Sequence, residues 1–392
     1  MAKLREVFPV IRNGASIRQT DGAGGLPITR IETISNREID RSKFGYAGIE
    51  DVDKYREYIL QDGDILMSHI NSEKHLGKVA LYKKQGNEKI IHGMNLLMLR
   101  VNKSIVYPPF ATYFFSTNIF LGHIQKITKK SVNQASFTVS ALKEIEMDLP
   151  SLEEQRKIAA VLDKVSDLIA KRRQQLDKLD ELVKARFVEM FGTPLLNEKG
   201  WPVVNSEKCC NVITDGSHFS PVGVTEGVPM LSVKDMKNDG FHYDNCKLVS
   251  DDDFSILEKQ GCVPQKDDVL IAKDGSYFYY GFVLREFKKQ AVLSSIAMLR
   301  PNISVVNPDF LCHYMLSIEI VKLVGDNYVT GAALKRVILK GIKQIPVMLP
   351  PLDLQNQFSA FVEQTDKIKL TINRSLEKLE TLKKALMQQY FG

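Results

Sequence analysis

Apolar positions divide the chain into two kinds of segment. In residues 1–149 and 193–349 they come in short runs between clusters of Gly, Asn and Lys. Asp64-Ile65-Leu66-Met67-Ser68, Lys78-Val79-Ala80-Leu81-Tyr82 and Leu96-Leu97-Met98-Leu99 are examples, and runs so bounded predict short strands. Helical patterns follow Tyr107-Pro108-Pro109-Phe110 and Asn307-Pro308-Asp309-Phe310, where proline suits a first helical turn. Each segment reads as a mixed α/β or α+β domain.

From Leu152 to Met190 the pattern changes. There is no Gly or Pro, and Leu162, Ile169, Leu176, Val183 and Met190 recur every seven residues. Val165, Leu168, Leu179 and Leu182 fill adjacent faces. Near the other end Ile372, Leu379 and Leu386 keep the same spacing, flanked by Ile368, Leu376 and Leu382. Heptads with charged residues between them predict coiled-coil helices. Each starts just after Pro150 or Pro350-Pro351 and stops at a Phe-Gly pair. About 40 residues at 1.5 Å each make a rod of roughly 60 Å. The two rods pack on each other, antiparallel if the halves are related by a pseudo-two-fold axis; alternatively each covers its own domain.

The halves repeat one another. Leu149-Pro150-Ser151-Leu152-Glu153-Glu154-Gln155 recurs as Leu349-Pro350-Pro351-Leu352-Asp353-Leu354-Gln355, and Phe191-Gly192 as Phe391-Gly392. Asp64-Ile65-Leu66 matches Asp268-Val269-Leu270. The chain is a tandem duplication of a domain plus a rod. Its expected boundaries are 1–149, 150–192, 193–349 and 350–392.

Charge refines this picture. The 392 residues carry 53 Lys+Arg and 47 Asp+Glu, a net +6. Residues 1–149 hold +5, from 21 basic and 16 acidic side chains; the rods hold +1 each and the second domain −1. The first domain is thus the better free-standing phosphate binder, and the near-neutral rods suit protein–protein packing. No apolar run is long enough to span a membrane, and the first residues lack a secretory core. Five cysteines, all in the second half and without a CxxC pair, fit free thiols in a reducing cytoplasm.

Catalytic signatures are broken or missing. The loops at Tyr107 and Asn307 approach the Asn/Asp-Pro-Pro-Tyr/Phe element of amino-methyltransferases, but Tyr107 replaces the polar first residue and Asp309 the second proline. Asp21-Gly22-Ala23-Gly24-Gly25 reads as a turn, not a dinucleotide or S-adenosylmethionine cradle. No GxxxxGK[ST] or HExxH occurs. Cys209-Cys210 with His218 has the wrong spacing for zinc, so no metal site is expected.

In order and in its repeated words the chain resembles the specificity subunits of type I restriction–modification systems. Leu149 to Ala159 is similar to the family's Pro-Leu-x-Glu-Gln-x-x-Ile entry to a spacer helix; the second copy departs at Asp353-Leu354 and Phe358. Gly63-Asp64-Ile65-Leu66 resembles its Gly-Asp-x-Leu element, which Asp267-Asp268-Val269-Leu270 keeps without the glycine. Gly331-Ala332-Ala333-Leu334-Lys335 resembles its late turn. The resemblance implies two target-recognition domains separated by two long antiparallel coiled-coil helices. It implies a non-catalytic reader of a bipartite, asymmetric site in double-stranded DNA, inside a bacterial or archaeal cytoplasm. It also implies that the helices dock two modification subunits, and restriction subunits where a system has them. S-adenosylmethionine, ATP and Mg then belong to those partners, with no cofactor on this chain. The competing reading is a coiled-coil scaffold carrying two peptide- or ligand-binding domains.

A bipartite reader needs two different base-reading surfaces, because side chains at base edges specify sequence while phosphate contacts position the protein. The expected readers in the first domain are His69, Asn71, Lys74 and His75, then Asn133, Gln134 and Ser136. In the second they are Lys273, Asp274, Ser276, Tyr277 and Tyr279, then Lys335 and Arg336. Each reads equally as a solvated loop residue, and Tyr277 to Tyr280 equally as a hydrophobic strand. The heptads give a first prediction. Inserting one turn after Leu176, about four residues and roughly 6 Å, changes the gap between half-sites by one or two base pairs of about 3.4 Å. Mapping of methylated sites should show both half-site sequences unchanged; an altered half-site argues against a rigid ruler.

Overall fold

The computed structural model describes residues 1–20, 24–35, 37–131, 134–331 and 335–392. The glycine turn at 21–23, Asn133 and the turn residues 332–334 lie outside the described residues. Contacts divide the chain into two units, Met1–Arg173 with Arg374–Gly392, and Gln174–Asn373. Both cuts fall inside a long helix.

The first unit is built on an antiparallel sheet of β1 (Val10–Asn13), β2 (Ile65–Ser68), β4 (Val79–Leu81) and β5 (Leu96–Arg100), in the order β1-β5-β2-β4. A short β3 (Ile70–Asn71) follows β2. The predicted runs are buried on both faces because alternate residues serve different cores. Ile65, Met67, Leu97 and Leu99 face one cluster with Phe110, Phe114 and Phe120. Leu66, Leu96 and Met98 face another with Leu60, Tyr82 and Ile90. Helices α1 (Pro108–Phe114) and α2 (Asn118–Ile127) cover the first face. As expected, α1 starts at its proline. After α2 come β6 (Lys129–Lys130) and β7 (Ala135–Ser136), and α3 spans Leu152–Phe191.

The second unit repeats this plan. Its sheet contains β8 (Cys210–Asp215), β9 (Val269–Ala272), β10 (Gly281–Val283) and β11 (Ile296–Pro301), in the order β8-β11-β9-β10. Helices α4 (Pro308–Met315) and α5 (Ile318–Asn327), strands β12 (Val329–Thr330) and β13 (Arg336–Val337), and α6 (Leu352–Phe391) follow. In each unit an aspartate just before the central strand is tied to an arginine on its neighbour. Arg100 grips Asp64 at 2.8 and 2.7 Å, and Arg300 grips Asp268 at 2.9 Å twice. These bidentate bonds fill carboxylates that are 1% and 0% exposed.

The joint between domain and rod is also written twice. The Gln155 side chain accepts from the Tyr107 backbone at 2.9 Å and donates to the carbonyls of Ile105 and Pro150 at 3.0 and 2.9 Å. Gln355 accepts from Asn307 at 2.9 Å and donates to Pro350 at 2.8 Å. Both are fully buried.

Along α3, the buried or half-buried residues 162, 165, 169, 172, 176, 179 and 183 alternate steps of three and four, with Asp163 and Ser166 half-buried beside them against the Tyr113 hydroxyl. Leu162, Ile169 and Val183 are buried and Leu176 is half-buried. On α6 Ile372 is buried, and Leu379 and Leu386 are half-buried. Leu168, Leu182, Ile368 and Leu382 are instead exposed, because a residue next to a seam position is turned about 100° away. In the first unit Ile158, Ala159 and Leu162 share a core with Leu386, Tyr390 and Phe391, and Arg173 pairs with Glu380 at 2.7 Å. In the second, Lys369 pairs with Asp180 at 2.6 Å, and the Phe187 and Phe358 rings lie 5.4 Å apart. Within each unit, then, the two helical segments run antiparallel. The Phe-Gly stops also have a packing role. Phe391 lies 5.1 Å from Phe110, and Phe191 lies 4.8 Å from Phe310. Gly192 takes φ +82°, the left-handed turn that ends a helix. No helix among the described residues is long and apolar enough to cross a membrane.

The joint yields a second prediction. Gln155→Ala strands one buried N–H and two carbonyls and should destabilise the first unit by about 3 kcal/mol. Scanning calorimetry should show the transition lowered by several degrees; an unshifted transition would show that the glutamine bonds do not hold the rod.

Candidate nucleic-acid interface

In the first unit the chain leaves β2 at Ser68, passes His69 and enters β3. Strand β7 pairs with β3 (Ser136 opposite Ile70, Ala135 opposite Asn71) and with β6. The two segments expected to read bases, 65 residues apart in the chain, thus lie on one three-stranded edge. Lys74, Gln134, Lys129 and Lys130 are exposed there, and Lys130 pairs with Glu73 at 2.9 Å. Ser136 is half-buried. Asn71 is half-buried and partly engaged: its oxygen accepts from the Ser72 N–H at 2.7 Å, and its amide reaches Ser68 Oγ at 3.4 Å. His75 is half-buried, 2.7 Å from Lys78 Nζ.

His69 corrects the sequence reading. Expected on an exposed loop, it is only 4% exposed, with its ring edge-on to Phe137 at 6.3 Å. The Phe137 N–H bonds its carbonyl at 3.3 Å, so the late strand closes over it. Its Nδ1 has no partner among the described residues, and burial lowers its pKa to about 4. His69 is a neutral core residue beneath the edge.

The second unit builds the same edge with other chemistry. Asp274 bridges Arg336, the Gly275 N–H donates to the Lys335 carbonyl at 2.8 Å, and the Val337 N–H donates to the Lys273 carbonyl at 3.0 Å. By these bonds Lys273 occupies the place of His69, Asp274 that of Ile70, and Arg336 that of Ser136. Lys273 and Asp274 also correct the sequence reading, being 6% and 8% exposed. Lys273 Nζ sits 3.3 Å from Asp215 and 3.2 Å from Asp274, and Asp274 lies 3.7 Å from Arg336 Nε. A buried ammonium is held only where carboxylates surround it, so this lysine braces the edge from below. Tyr277 is half-buried against the core. Gly275 and Phe278 take φ +68° and +53°, which turns the loop tightly, with Phe278 in and Tyr279 out. Ser276, Tyr279, Lys335 and Arg336 remain exposed.

Sequence reasoning missed Asp215, which enters from the end of β8, 58 residues before Lys273. It also passed over Lys129 and Lys130, although a lysine doublet before a polar turn is visible in the sequence. Among the described residues no group of three or more His, Cys, Asp or Glu side chains is placed to hold a metal.

Two copies of one antiparallel domain, each displaying a different polar edge and each joined to a long helix, define a duplicated class of protein with two distinct binding surfaces. The family model for the type I restriction–modification DNA specificity domain matches residues 1–181 and 205–383, and the chain belongs to that family. It is 32% identical to a chain of Methanocaldococcus jannaschii named as the specificity subunit of the type I restriction enzyme MjaX, over 98% of this chain and 91% of that one. It is 24% identical to the EcoKI specificity subunit of Escherichia coli over 47% of this chain and 40% of the relative. The solved S subunit of a type I system from M. genitalium has the same fold, with a TM-score of 0.59 at 14% identity, covering 100% and 95% of the two chains.

The buried histidines give a third prediction. Burial holds His69 near 4, His92 near 3 and His313 near 4. The unfolded chain takes up these protons near pH 6.5, so folding stability is complete above that pH and falls as pH drops toward 4. His69 alone accounts for roughly 2 kcal/mol between pH 7 and 5. In urea titrations, His69→Gln should show a shallower loss of stability over that interval than the wild type. An unchanged slope would mean that His69 takes up its proton in the folded protein as readily as in the unfolded chain.

Proposed function

We propose that this chain is the non-catalytic DNA reader of a type I restriction–modification complex. Each unit reads one half of a bipartite site, and the helices dock the modification subunits, with two expected by the duplication. The observation that carries this reading is the exposed Arg336 of the second unit at the place of the half-buried Ser136 of the first, on matching backbone edges laid over a buried His69 in one unit and a buried Lys273–Asp274 pair in the other. A scaffold that repeats itself while its edge chemistry changes suits an asymmetric target. Val161 and Leu168 in the first unit and Leu182, Val188 and Ile368 in the second are exposed apolar residues on the helices, suited to partner helices. S-adenosylmethionine, and ATP with Mg, are assigned to partner subunits, and the cytoplasm is the compartment that holds their DNA.

The test is methyl transfer to DNA by the purified chain with and without its cognate modification subunit. Methylation should require both proteins and map to a two-part motif. Activity of the isolated chain would refute the proposal, and so would a complex without sequence preference. Arg336 refines the test. Its guanidinium is exposed, and arginine most often reads guanine through O6 and N7. Arg336→Ala should cost about 1–3 kcal/mol and relax one position of the half-site read by the second unit. Lys129→Ala with Lys130→Ala should weaken binding on all sequences alike. A methylation map that Arg336→Ala leaves unchanged would remove Arg336 from the reading surface.

A further inference from the structure

The two units differ sharply at one place away from the reading edges. In the second unit Arg285, just after β10, grips the Asp309 carboxylate bidentately, and Ser359 of α6 donates to it as well. Asp309 is 3% exposed, so the carboxylate fills the space between sheet, α4 and the start of α6. The backbone identifies the matching residues of the first unit. The Gly63 N–H bonds the Tyr82 carbonyl as the Asp267 N–H bonds that of Leu284, so Lys83 stands for Arg285. The shared start of α1 and α4 sets Pro109 against Asp309. The shared glutamine joint sets Ala159 against Ser359 and Arg156 against Asn356.

In the first unit, therefore, the carboxylate is missing, its cation is kept as Lys83, and Lys103 and Arg156 stand beside it where the second unit has Ile303 and Asn356. An open pocket of about 340 Å³ lies there, lined by Lys83, Lys103, Arg156, Tyr107, Pro109 and Asp62, among others. Lys103 Nζ donates only to the Asp62 carbonyl, at 2.8 Å, and the Arg156 guanidinium sits 6.0 Å from the Tyr107 ring centre. Among the described residues none of the three cations has a carboxylate partner. The Asp62 carboxylate accepts the Lys84 N–H at 3.1 Å.

We propose that this pocket binds a carboxylate side chain of the modification subunit, which supplies from outside the group that Asp309 supplies internally in the second unit. The inference rests on the function proposed above. A DNA phosphate is disfavoured by position. Asp62 and Gly63 precede β2 and the reading edge follows it, so the whole strand, about 13 Å, lies between them. The pocket also adjoins Leu152, where α3 begins, so a protein docked on the helices reaches it.

The test measures affinity of the full chain for its cognate modification subunit without DNA. The triple variant Lys83→Ala, Lys103→Ala, Arg156→Ala should weaken assembly by roughly ten- to a hundredfold. The methylated motif at saturating subunit should stay the same. Pro109→Asp places a carboxylate at the position of Asp309; it should raise the melting temperature of the free chain and weaken assembly by about tenfold. Melting curves of each variant separate these effects from misfolding. Wild-type affinity in both variants, with wild-type assembly intact, overturns the pocket alone. Variants that assemble normally but bind duplex DNA more weakly would make the occupant a phosphate and overturn it too. Failure of the wild-type chain to bind the modification subunit overturns the proposed function and the pocket with it.

Discussion

The architecture hangs on one buried amide. Gln155 and Gln355 each sit fully enclosed where a long helix begins, and each joins the loop before a domain helix to the proline carbonyl at the head of the rod. An amide is suited to this place because it donates and accepts without charge. A carboxylate would lack the donor, and an ammonium would lack the acceptor. Once the glutamine bonds form, the direction of the helix leaving the domain is set, and the seam residues at three–four spacing follow. The Phe-Gly stops complete the arrangement. Phe191 packs on Phe310 and Phe391 on Phe110, so each unit is closed by the end of one rod and the start of the other.

Beneath the reading edges, the structure separates what must stay constant from what must vary. The Asp64–Arg100 and Asp268–Arg300 pairs fix the same strands in both units, and the backbone bonds of the edges are the same. The side chains differ, and so does the loop that follows, a 3-10 turn at Glu73–His75 in the first unit and a tight turn with Gly275 and Phe278 at positive φ in the second. In the first unit a neutral imidazole lies under the edge; in the second, an ammonium lies between two carboxylates. Both must be buried, since the hairpin that supplies half the edge covers them. Burying Lys273, Asp215 and Asp274 costs desolvation that apolar residues would avoid. Asp274 also lies 3.7 Å from Arg336 Nε, so the buried group puts a negative charge under the exposed guanidinium.

Local signals carried the legible part. The strands at Ile65–Ser68, Val79–Leu81 and Leu96–Arg100, the helix starts at Pro108 and Pro308, and both 40-residue helices follow from apolar spacing and end residues. The seam was legible as heptads, with Leu168 and Leu182 read onto adjacent faces, but that Val165 and Leu179 would be covered while Leu168 and Leu182 stay exposed was not, because in one dimension all four look like parts of the same apolar cluster. The candidate interface was legible as two loops and not as one edge. That His69 and Lys273 lie inside it depends on hairpins that begin 60 and 56 residues later in the chain. No local pattern reports a lid that distant. For the same reason Asp215, which neutralises Lys273 from another strand, could not be anticipated.

The duplication itself explains why the two halves need not be equally self-sufficient. After a domain and rod are copied, each joint can drift as long as its own core stays filled. The glutamine and the bidentate aspartates did not drift, because each satisfies several buried backbone or guanidinium groups at once. At the position of Asp309 the constraint is weaker, since the site faces solvent on one side. One copy closed it with an internal ion pair that includes Ser359, while the other kept Pro109, Ala159 and three unpaired cations. A cavity open to water tolerates unpaired lysines at little cost, because solvent screens them. The first unit can therefore carry an unfilled cationic pocket without losing its fold, and the same argument makes that pocket available to a partner.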